Sequence, residues 1–181
     1  MKASETSLPG VLLLDLESHA DARGSLVELF RADRCAAVGI ETEFVQDNLA
    51  SSIRGALRGL HYRLSPQAKL VMVTHGEIYA VAVDVRRGSP RFGRWFGTQL
   101  AAEPRRQLWI PSGFAHGYQA VSERADVLYK LTATFDPADD RTVRWDDAAL
   151  AIPWPLTGPV LSARDAAAPL LADAELPTYT P

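Results

Sequence analysis

The sequence predicts an all-β fold, a jelly-roll β-barrel with a few short helices. Short runs rich in β-branched and aromatic residues recur along the chain, as expected for many short strands. Glycine and proline separate these runs, for example in "GSP" at 88–90 and "IPSG" at 110–113. Helical periodicity is convincing in only two short segments. A barrel of this type can hold one ligand at its mouth.

The predicted strands follow one another through most of the sequence. They fall in the runs "GVLLLDLES", "GSLVELFR", "EFVQDN", "KLVMVTHGEIYAVAVDVRRG", "GRWFGTQLA", "RRQLWIPSGFAHGYQAVS" and "ADVLYKLTATF". In "EIYAVAVDV", Ile78 and Ala80 fall on one face of the strand and Val81 on the other, because side chains alternate. Because Gly76 can supply a positive φ, we expect the strands on either side of His75-Gly76 to form a tight hairpin.

The two predicted helices lie at residues 30–39, "FRADRCAAVG", and at residues 162–175, "SARDAAAPLLADAE". Between the last strand and the second helix, "IPWPLTGP" at 152–159 is typical of turns, since proline cannot donate to a central ladder. The chain contains no repeat, low-complexity tract or linker. Its 181 residues are therefore predicted to form one domain.

The composition is that of a globular protein, with 47% hydrophobic and 23% charged residues. The net charge of -3 is accompanied by no long basic run, which argues against a general nucleic-acid binder. A local pair of basic side chains could still bind a phosphate group within an acidic protein. Composition therefore leaves an anionic small molecule as a possible ligand class.

The single cysteine, Cys35, cannot form an intrachain disulfide, and no CxxC or Cys/His spacing for zinc accompanies it. The N-terminal apolar run is too short to span a bilayer, acidic residues follow it directly, and no A-x-A cleavage site is present. We therefore expect a cytoplasmic protein that has no membrane partner.

Four histidines are present, at positions 19, 61, 75 and 116. A metal enzyme on a barrel usually carries two histidines one residue apart with a carboxylate shortly after, and neither "LHYR" nor "FAHGYQ" supplies this pair. The sequence therefore favours acid–base chemistry without a bound metal. His61, in "LRGLHYR", has two interpretations by itself: a packed core side chain, or a base held in a pocket.

A set of motifs carries a family resemblance. The motifs, in order along the chain, are "DARGSLVELF", "FVQDN", "RGLHYR", "QAKLV", "GEIYAVAVDVRRGSPRFGRW", "QLWIPSGFAHGY", "VLYK" and "LSARDAAAPL". Together they resemble motifs of the dTDP-4-dehydrorhamnose 3,5-epimerase family of cupins. The match runs from about residue 3 to residue 172. Any one of these motifs is a weak signal, whereas their combination in this order is specific.

The resemblance implies a cupin-type jelly roll and a homodimer that needs neither a metal nor an organic cofactor. It implies inversion of carbons beside the ketone of a dTDP-4-keto-6-deoxy sugar. One domain would span residues 1–181, with the barrel core at about 40–145. The N-terminal strands at 8–31 would lie in the dimer interface, and the tail at 155–181 would carry Asp165.

Four residues match the catalytic positions of the family. A C–H next to a ketone loses its proton only if the anion is stabilised on the carbonyl oxygen, so the site needs a base at carbon and a donor at oxygen. His61 matches the base, and Asp165 matches the carboxylate that orients it. Lys69 matches the cation at the enolate oxygen, and Tyr129 matches the acid on the opposite face.

Each of these residues has a plainer interpretation when it is taken alone. Asp165 could be the N-cap of the second predicted helix. Lys69 could be a solvated lysine at the start of a strand, and Tyr129 could serve only in packing. Asp84, an acid on an otherwise apolar strand, requires a partner, either near His61 or Lys69 or in a structural hydrogen bond.

The resemblance also implies a groove that binds the nucleotide sugar. Two arginines suit the diphosphate because guanidinium groups donate paired hydrogen bonds, while carboxylate and amide groups suit the base or the sugar. The residues at the corresponding motif positions are Arg23, Glu28, Gln46, Asn48, Arg58, His116, Phe135 and Arg164.

The chain departs from the family pattern in three places. The family commonly has aromatic residues after "RG", whereas Gly24 is followed here by Ser25-Leu26-Val27. It often has Gln after "LHY", where this chain has Arg63. Phe135 keeps an aromatic ring without a hydroxyl. These differences leave the nucleotide preference open.

Three other functions remain open. An enzyme with the same catalytic groups could invert only C3 or only C5, since the shape of the pocket would set the number of inversions. A sugar-binding cupin that has lost catalysis is disfavoured, because all four catalytic matches are present. A metal-dependent oxygenase on the same barrel is disfavoured by the missing histidine pair.

Overall fold

The computed structural model describes residues 1–40 and 43–179, so the last two residues of the predicted tail lie outside the described part. Within it the chain forms thirteen strands and two short helices. The strands are β1 (Lys2–Glu5), β2 (Leu12–Asp15), β3 (Ser18–Asp21), β4 (Gly24–Val27), β5 (Gln46–Ile53), β6 (Leu57–Arg63), β7 (Lys69–His75), β8 (Glu77–Asp84), β9 (Trp95–Ala101), β10 (Arg106–Ile110), β11 (Phe114–Ala120), β12 (Arg124–Leu131) and β13 (Asp140–Thr142). The helices are α1 (Ala32–Ala36) and α2 (Ala163–Ala166). The predicted all-β class is confirmed.

The strands form two large sheets and one small one. The first has the order β1-β2-β10-β7-β12-β5, and the second has the order β13-β6-β11-β8-β9. β3 and β4 form a separate two-stranded sheet. Neighbouring strands within these sheets run antiparallel. The connections cross between the two large sheets repeatedly, as the predicted jelly roll requires.

One apolar cluster joins the two large sheets. It contains Val71 from the six-stranded sheet together with Ile78 and Ala80 from the five-stranded sheet. On the opposite face of β8, Val81 lies in a second cluster that includes Leu171 from the C-terminal segment. The predicted alternation along β8 is therefore confirmed. Both faces of this strand are buried, each by a different part of the chain.

The predicted hairpin at His75-Gly76 is wrong. Gly76 has a positive φ of 72°, yet β7 belongs to the six-stranded sheet and β8 to the five-stranded sheet. The turn therefore crosses between the sheets. β8 is apolar on both faces, and both faces are buried only when the strand lies in a sheet that is covered on its two sides. Gly76 is also needed for space, because a Cβ atom there would overlap the carbonyl oxygen of Arg124.

Both helices are shorter than the sequence predicts. α1 has five residues and packs Cys35 against the six-stranded sheet. α2 has four residues and ends before Pro169, which has no N–H to continue the ladder and disfavours helical geometry at the preceding residue. Beyond it, the backbone N–H of Leu171 donates to the carboxylate of Asp147 at 2.7 Å. No helix in the described residues is long and apolar enough to cross a bilayer.

Residues 57–63, which carry no strand prediction above, form β6 inside the five-stranded sheet. Gly59 has a φ of 134° and packs against Gly117 of β11, so that a Cβ atom would lie 2.5 Å from the Cα atom of Gly117. Glycine at this position therefore permits both the backbone conformation and the close approach of two strands. The irregular backbone explains why "LRGLHYR" lacks a simple alternating pattern.

Candidate active site

A cavity of about 120 Å³ lies between the two large sheets. Lys69 and Tyr129 reach it from β7 and β12 of the six-stranded sheet, while His61 and His116 reach it from β6 and β11 of the five-stranded sheet. The full lining is Ala50, Arg58, His61, Lys69, His116, Tyr118 and Tyr129. The structure thus brings three of the four predicted catalytic residues together in one cavity.

An irregularity in the pairing of β6 with β11 shapes the wall of this cavity. His61 lies opposite His116, and Arg58 lies opposite Tyr118. The step from Arg58 to His61 is one residue longer than the step from Tyr118 to His116, which is a β-bulge. In a regular strand, residues three positions apart point to opposite faces. The bulge turns Arg58 and His61 to the same face, so that both line the cavity.

His61 and Asp165 form a hydrogen-bonded pair. The Nε2 atom of His61 lies 2.6 Å from Oδ1 of Asp165. The tautomer with its proton on Nε2 donates to the carboxylate and leaves the lone pair on Nδ1. The side chain of Asp165 is 4% exposed and that of His61 is 31% exposed, so the carboxylate is buried behind a histidine that solvent or a ligand can reach.

The pKa of Asp165 lies below its usual value. Burial by itself would raise this pKa, but the hydrogen bond and charge of His61 act in the opposite direction and outweigh it. The hydroxyl of Ser162 and the charge of Arg164 contribute in the same direction as His61. Asp165 is therefore an anion that can orient the imidazole and stabilise it when it becomes charged.

The interpretation of Asp165 as an N-cap is wrong. Ser162 is the N-cap of α2, and its Oγ atom accepts a hydrogen bond at 3.1 Å from the backbone N–H of Asp165. Asp165 thus stands in the first turn of the helix, where a carboxylate is favourable, with its side chain directed at His61.

Lys69 stands at the start of β7, close to the base. Its Nζ atom donates to the carbonyl oxygen of His61 at 3.3 Å. Burial lowers the pKa of Lys69 to about 8; the charge of Asp140 partly opposes this effect, and that of Arg63 adds to it. Because this pKa stays above 7, most of the lysine is protonated at neutral pH. The interpretation of Lys69 as a solvated surface residue does not hold.

Tyr129 lies on the sheet opposite His61, next to polar side chains of β5. It pairs in register with Asn48, whose Oδ1 atom accepts a hydrogen bond from Nε2 of Gln46 at 3.0 Å. The Oε1 atom of Gln46 in turn accepts from the backbone N–H of Phe135 at 2.7 Å, and the Phe135 ring is exposed. Three predicted binding residues thus form a connected group beside Tyr129.

His116 is buried in the wall of the cavity. Burial lowers its pKa well below 6.5, and the charges of Lys69 and His61 act in the same direction. Its Nε2 atom finds no hydrogen-bond partner within the described part of the chain. A buried polar atom without a partner is costly, so this neutral imidazole is well suited to bind a ligand atom in the cavity.

A second cavity, of about 450 Å³, adjoins the first and shares Arg58 and His61 with it. Arg164 and Asp165 of α2 also line it, together with Ser52 of β5. The two arginines are therefore placed on one continuous site with the proposed base. A ligand with a diphosphate could contact both guanidinium groups while its sugar reaches the smaller cavity.

Comparison with known proteins places this geometry in a family. A family model described as dTDP-4-dehydrorhamnose 3,5-epimerase matches residues 5–173. The dTDP-4-dehydrorhamnose 3,5-epimerase of Pseudomonas aeruginosa is 46% identical over 178 residues, which cover 97% of this chain and 98% of that protein. The chain belongs to the dTDP-4-dehydrorhamnose 3,5-epimerase family.

Two further relatives of this epimerase-family chain bear on its fold and its chemistry. The dTDP-6-deoxy-D-glucose-3,5-epimerase of Legionella pneumophila, solved in complex with dTDP-4-keto-L-rhamnose, is similar with a TM-score of 0.96 and 43% identity, and 99% of each chain is covered. The dTDP-4-dehydrorhamnose 3-epimerase of Streptomyces niveus is 40% identical over 186 residues, covering 99% of this chain and 90% of that protein.

Two predicted binding residues of this family member lie apart from the site in the single chain. Arg23 is exposed in the turn between β3 and β4 and pairs with Asp21 at 2.6 Å. Glu28 pairs with Arg34 at 3.2 Å and with Arg31 at 3.6 Å. Neither residue lines the two cavities as defined by the described residues.

The motifs of the epimerase family did not identify two residues that line the cavities, Tyr118 and Ser52. The hydroxyl groups of these two residues lie 3.0 Å apart, and Nε of Arg58 donates to Oγ of Ser52 at 3.1 Å. They hold Arg58 against the cavity. "FAHGY" contained a signal for Tyr118, because residues two apart on a strand share a face and His116 was already a candidate. For Ser52, no local signal existed.

Asp84 has a structural partner, and the expectation of a contact near His61 or Lys69 is wrong. Its carboxylate accepts from Nε of Arg86 at 2.9 Å and from the hydroxyl of Ser89 at 2.6 Å. This bonding holds the turn that follows β8. The alternative interpretation, a structural hydrogen bond, explains the buried acid.

Proposed function

We propose that this protein converts dTDP-4-dehydro-6-deoxy-D-glucose into dTDP-4-dehydro-L-rhamnose by inverting C3 and C5. The observation that carries the proposal is the placement of His61 and Tyr129 on opposite sheets around one cavity that also contains Lys69. A substrate ring between them presents one face to a base and the other to an acid. Inversion requires this arrangement, because a proton must leave one face and return to the other.

The first step is removal of the proton on a carbon beside the ketone. Nδ1 of His61 takes this proton, and the electron pair of the C–H bond moves toward the carbonyl oxygen to form an enolate. Asp165 stabilises the imidazolium that results. Lys69 donates to the enolate oxygen, where a fixed cation in a buried site is most effective. Tyr129 then delivers a proton to the carbon from the opposite face, and the carbonyl reforms.

The nucleotide occupies the larger cavity in this proposal. Arg58 and Arg164 line this cavity and bind the diphosphate. Gln46, Asn48 and Phe135 lie outside it, beside Tyr129, and from there they contact the sugar. His116 donates from its unpaired Nε2 atom to the sugar in the smaller cavity. Because Arg23 and Glu28 lie elsewhere in the chain, their predicted contribution requires a second subunit.

Turnover of the dTDP-4-keto sugar in deuterated water tests the proposal. We expect product with deuterium at C3 and C5 and inverted configuration at both carbons, measured by proton NMR. The relative named as a 3-epimerase supports one alternative, which predicts inversion at C3 alone. Incubation that leaves the substrate unchanged, with no deuterium at either carbon, would contradict both.

Replacement of Asp165 by Asn should reduce turnover less than loss of the base does. The imidazole remains, but the amide can also donate to Nε2 and so favour the wrong tautomer, and it no longer stabilises the imidazolium. We expect kcat to fall by about 10²-fold with a smaller change in KM. Steady-state kinetics measure this, and Asp173→Asn, a change to another carboxylate of the C-terminal segment, is the matched control.

We also propose a homodimer that covers the β3–β4 hairpin and the outer face of β5. Leu26 on the hairpin is 73% exposed, and Leu49 on β5 is 64% exposed. β5 is the edge strand of the six-stranded sheet. Large apolar side chains on an exposed edge are normally covered by a partner, since such an edge otherwise aggregates.

Light scattering after gel filtration should give twice the chain mass at micromolar concentration. Leu49→Asp should shift the protein toward the monomer, because burying an unpaired carboxylate in the interface is costly. Leu170→Asp, at an exposed apolar residue of the C-terminal segment, should leave the mass unchanged. A monomer mass for the unmodified protein would refute the dimer.

A further inference from the structure

We propose that Asp140, a residue outside the site assigned above, is a positioning residue that ties α2 to the cavity and supplies the negative charge beside Lys69. This inference rests on the proposed function, in which Lys69 acts as a cation and Asp165 orients the base. Asp140 is the first residue of β13, and it takes no part in the proton transfers assigned to His61 and Tyr129. Its effect is exerted through Arg164 and through its charge.

The first part of the argument concerns the docking of α2. The NH1 atom of Arg164 lies 2.5 Å from Oδ2 of Asp140. Arg164 immediately precedes Asp165 in a helix of only four residues. A helix this short has no stability of its own, so its contacts decide where it lies. The ion pair with Asp140 is one such contact and acts on the residue next to the carboxylate that holds His61.

The second part concerns the base itself. β13 pairs with β6, with Asp140 opposite Arg63 and Thr142 opposite His61. The strand that carries Asp140 therefore lies directly against the strand that carries the base. Through its backbone this strand positions His61, and through its first side chain it holds the helix of Asp165. The side chain of Asp140 is 14% exposed, so solvent screens its ion pair less than that of a surface pair.

The third part concerns the charge on Lys69. Nζ of Lys69 donates to the carbonyl oxygen of His61 in β6, and β13 pairs with β6 along this same segment. The strand of Asp140 therefore runs alongside the strand that holds the ammonium group. Burial lowers the pKa of Lys69 most, the charge of Asp140 raises it, and that of Arg63 lowers it. Arg63 is itself held by Asp139, whose Oδ2 atom lies 2.7 Å from its NH2 atom. The titratable and charged groups around Lys69 come from four strands: Arg58, His61 and Arg63 of β6, His116 and Tyr118 of β11, Tyr129 of β12 and Asp140 of β13. Asp139 is thus occupied by Arg63, whereas the charge of the neighbouring Asp140 acts on Lys69.

The opposing effects of Asp140 and Arg63 allow a sharp test. Lysine is a cation below its pKa, so activity that needs this cation is lost as the pH rises through the pKa. Asp140→Asn removes the negative charge and should move this loss to lower pH. Arg63→Gln removes a positive charge and should move the loss to higher pH. A purely structural role gives no reason for opposite shifts.

The experiment combines activity with a direct titration of the lysine. NMR of the Lys69 side chain, assigned by comparison with Lys69→Arg, should show a lower pKa in Asp140→Asn and a higher pKa in Arg63→Gln than in the unmodified protein. In the kcat profile the alkaline loss should move in the same directions. Asp140→Asn should also lower kcat about tenfold through misplacement of α2. Asp140→Glu should restore the profile.

A matched control is Asp146→Asn, which removes a carboxylate paired with Arg144 at 2.7 Å. It should leave both the Lys69 titration and the kcat profile unchanged. Circular dichroism must show that each variant is folded. An unshifted Lys69 titration in folded Asp140→Asn would overturn the inference even if the protein is an epimerase. Absence of epimerisation by the unmodified protein would instead refute the proposed function, and the titration would still report the effect of Asp140.

Discussion

Replacement of His61 by Asn is expected to lower turnover by about 10³-fold and to abolish the incorporation of solvent deuterium beside the ketone. An amide has no basic nitrogen that can accept the proton at neutral pH. Asn is polar and smaller than the imidazole, and the His61 side chain is partly exposed, so the fold should be retained. Exchange is measured by NMR of the substrate in deuterated water, and turnover is measured separately.

His75→Asn is the matched control for this experiment. His75 is exposed at the end of β7, away from the cavity lining. The His75→Asn protein should exchange the substrate proton and turn over the substrate at the rate of the unmodified protein. A His61→Asn protein that is folded and turns over at a similar rate would show that the histidine serves only in packing.

Tyr129→Phe is expected to separate proton exchange from inversion. The base and the cation remain, so the enolate can still form and take deuterium back on the face from which the proton left. Without the phenol, delivery from the opposite face falls, and net inversion should decrease by about 10²-fold. Following one reaction by NMR gives both quantities, since deuterium content and ring configuration are read from the same spectrum.

Tyr79→Phe provides the control, because Tyr79 packs against Trp154 on the far face of the five-stranded sheet. It should leave exchange and inversion as they are. If Tyr129→Phe lowers exchange and inversion in the same proportion, the assignment of Tyr129 as the acid of the opposite face is wrong. Inversion would then require a different proton donor on the face of the substrate opposite His61.

The local parts of the structure followed from the sequence to a large extent. Alternation along β8 predicted that Ile78 and Val81 point to opposite faces, and the two residues lie in different apolar clusters. The pattern around Gly76 predicted a turn with positive φ correctly but not its geometry. A turn residue reports its own backbone conformation, whereas the sheet that the next strand joins depends on which faces must be covered.

The candidate catalytic residues were accessible from motifs, yet their spatial relation was not. His61 and Asp165 are 104 residues apart, and the periodicity of neither segment indicates that they touch. Arg58 and His61 would lie on opposite faces of a regular strand, and only the bulge turns them to one side. The sequence did not single out Asp140 among the acids of "DPADDR", because its ion pair with Arg164 of α2 joins segments that are 24 residues apart.

By itself, the sequence determined the all-β class, most of the strands and the identity of the four catalytic candidates, because these depend on local periodicity and on motifs read along the chain. The tertiary structure decided which side chains share a cavity, that Arg23 and Glu28 stand apart from it in one chain, and that Asp140 pairs with Arg164. The reason is physical: a strand specifies which face of itself is apolar, but the partner across the barrel is set by burial of the whole core, and that condition involves every strand at once.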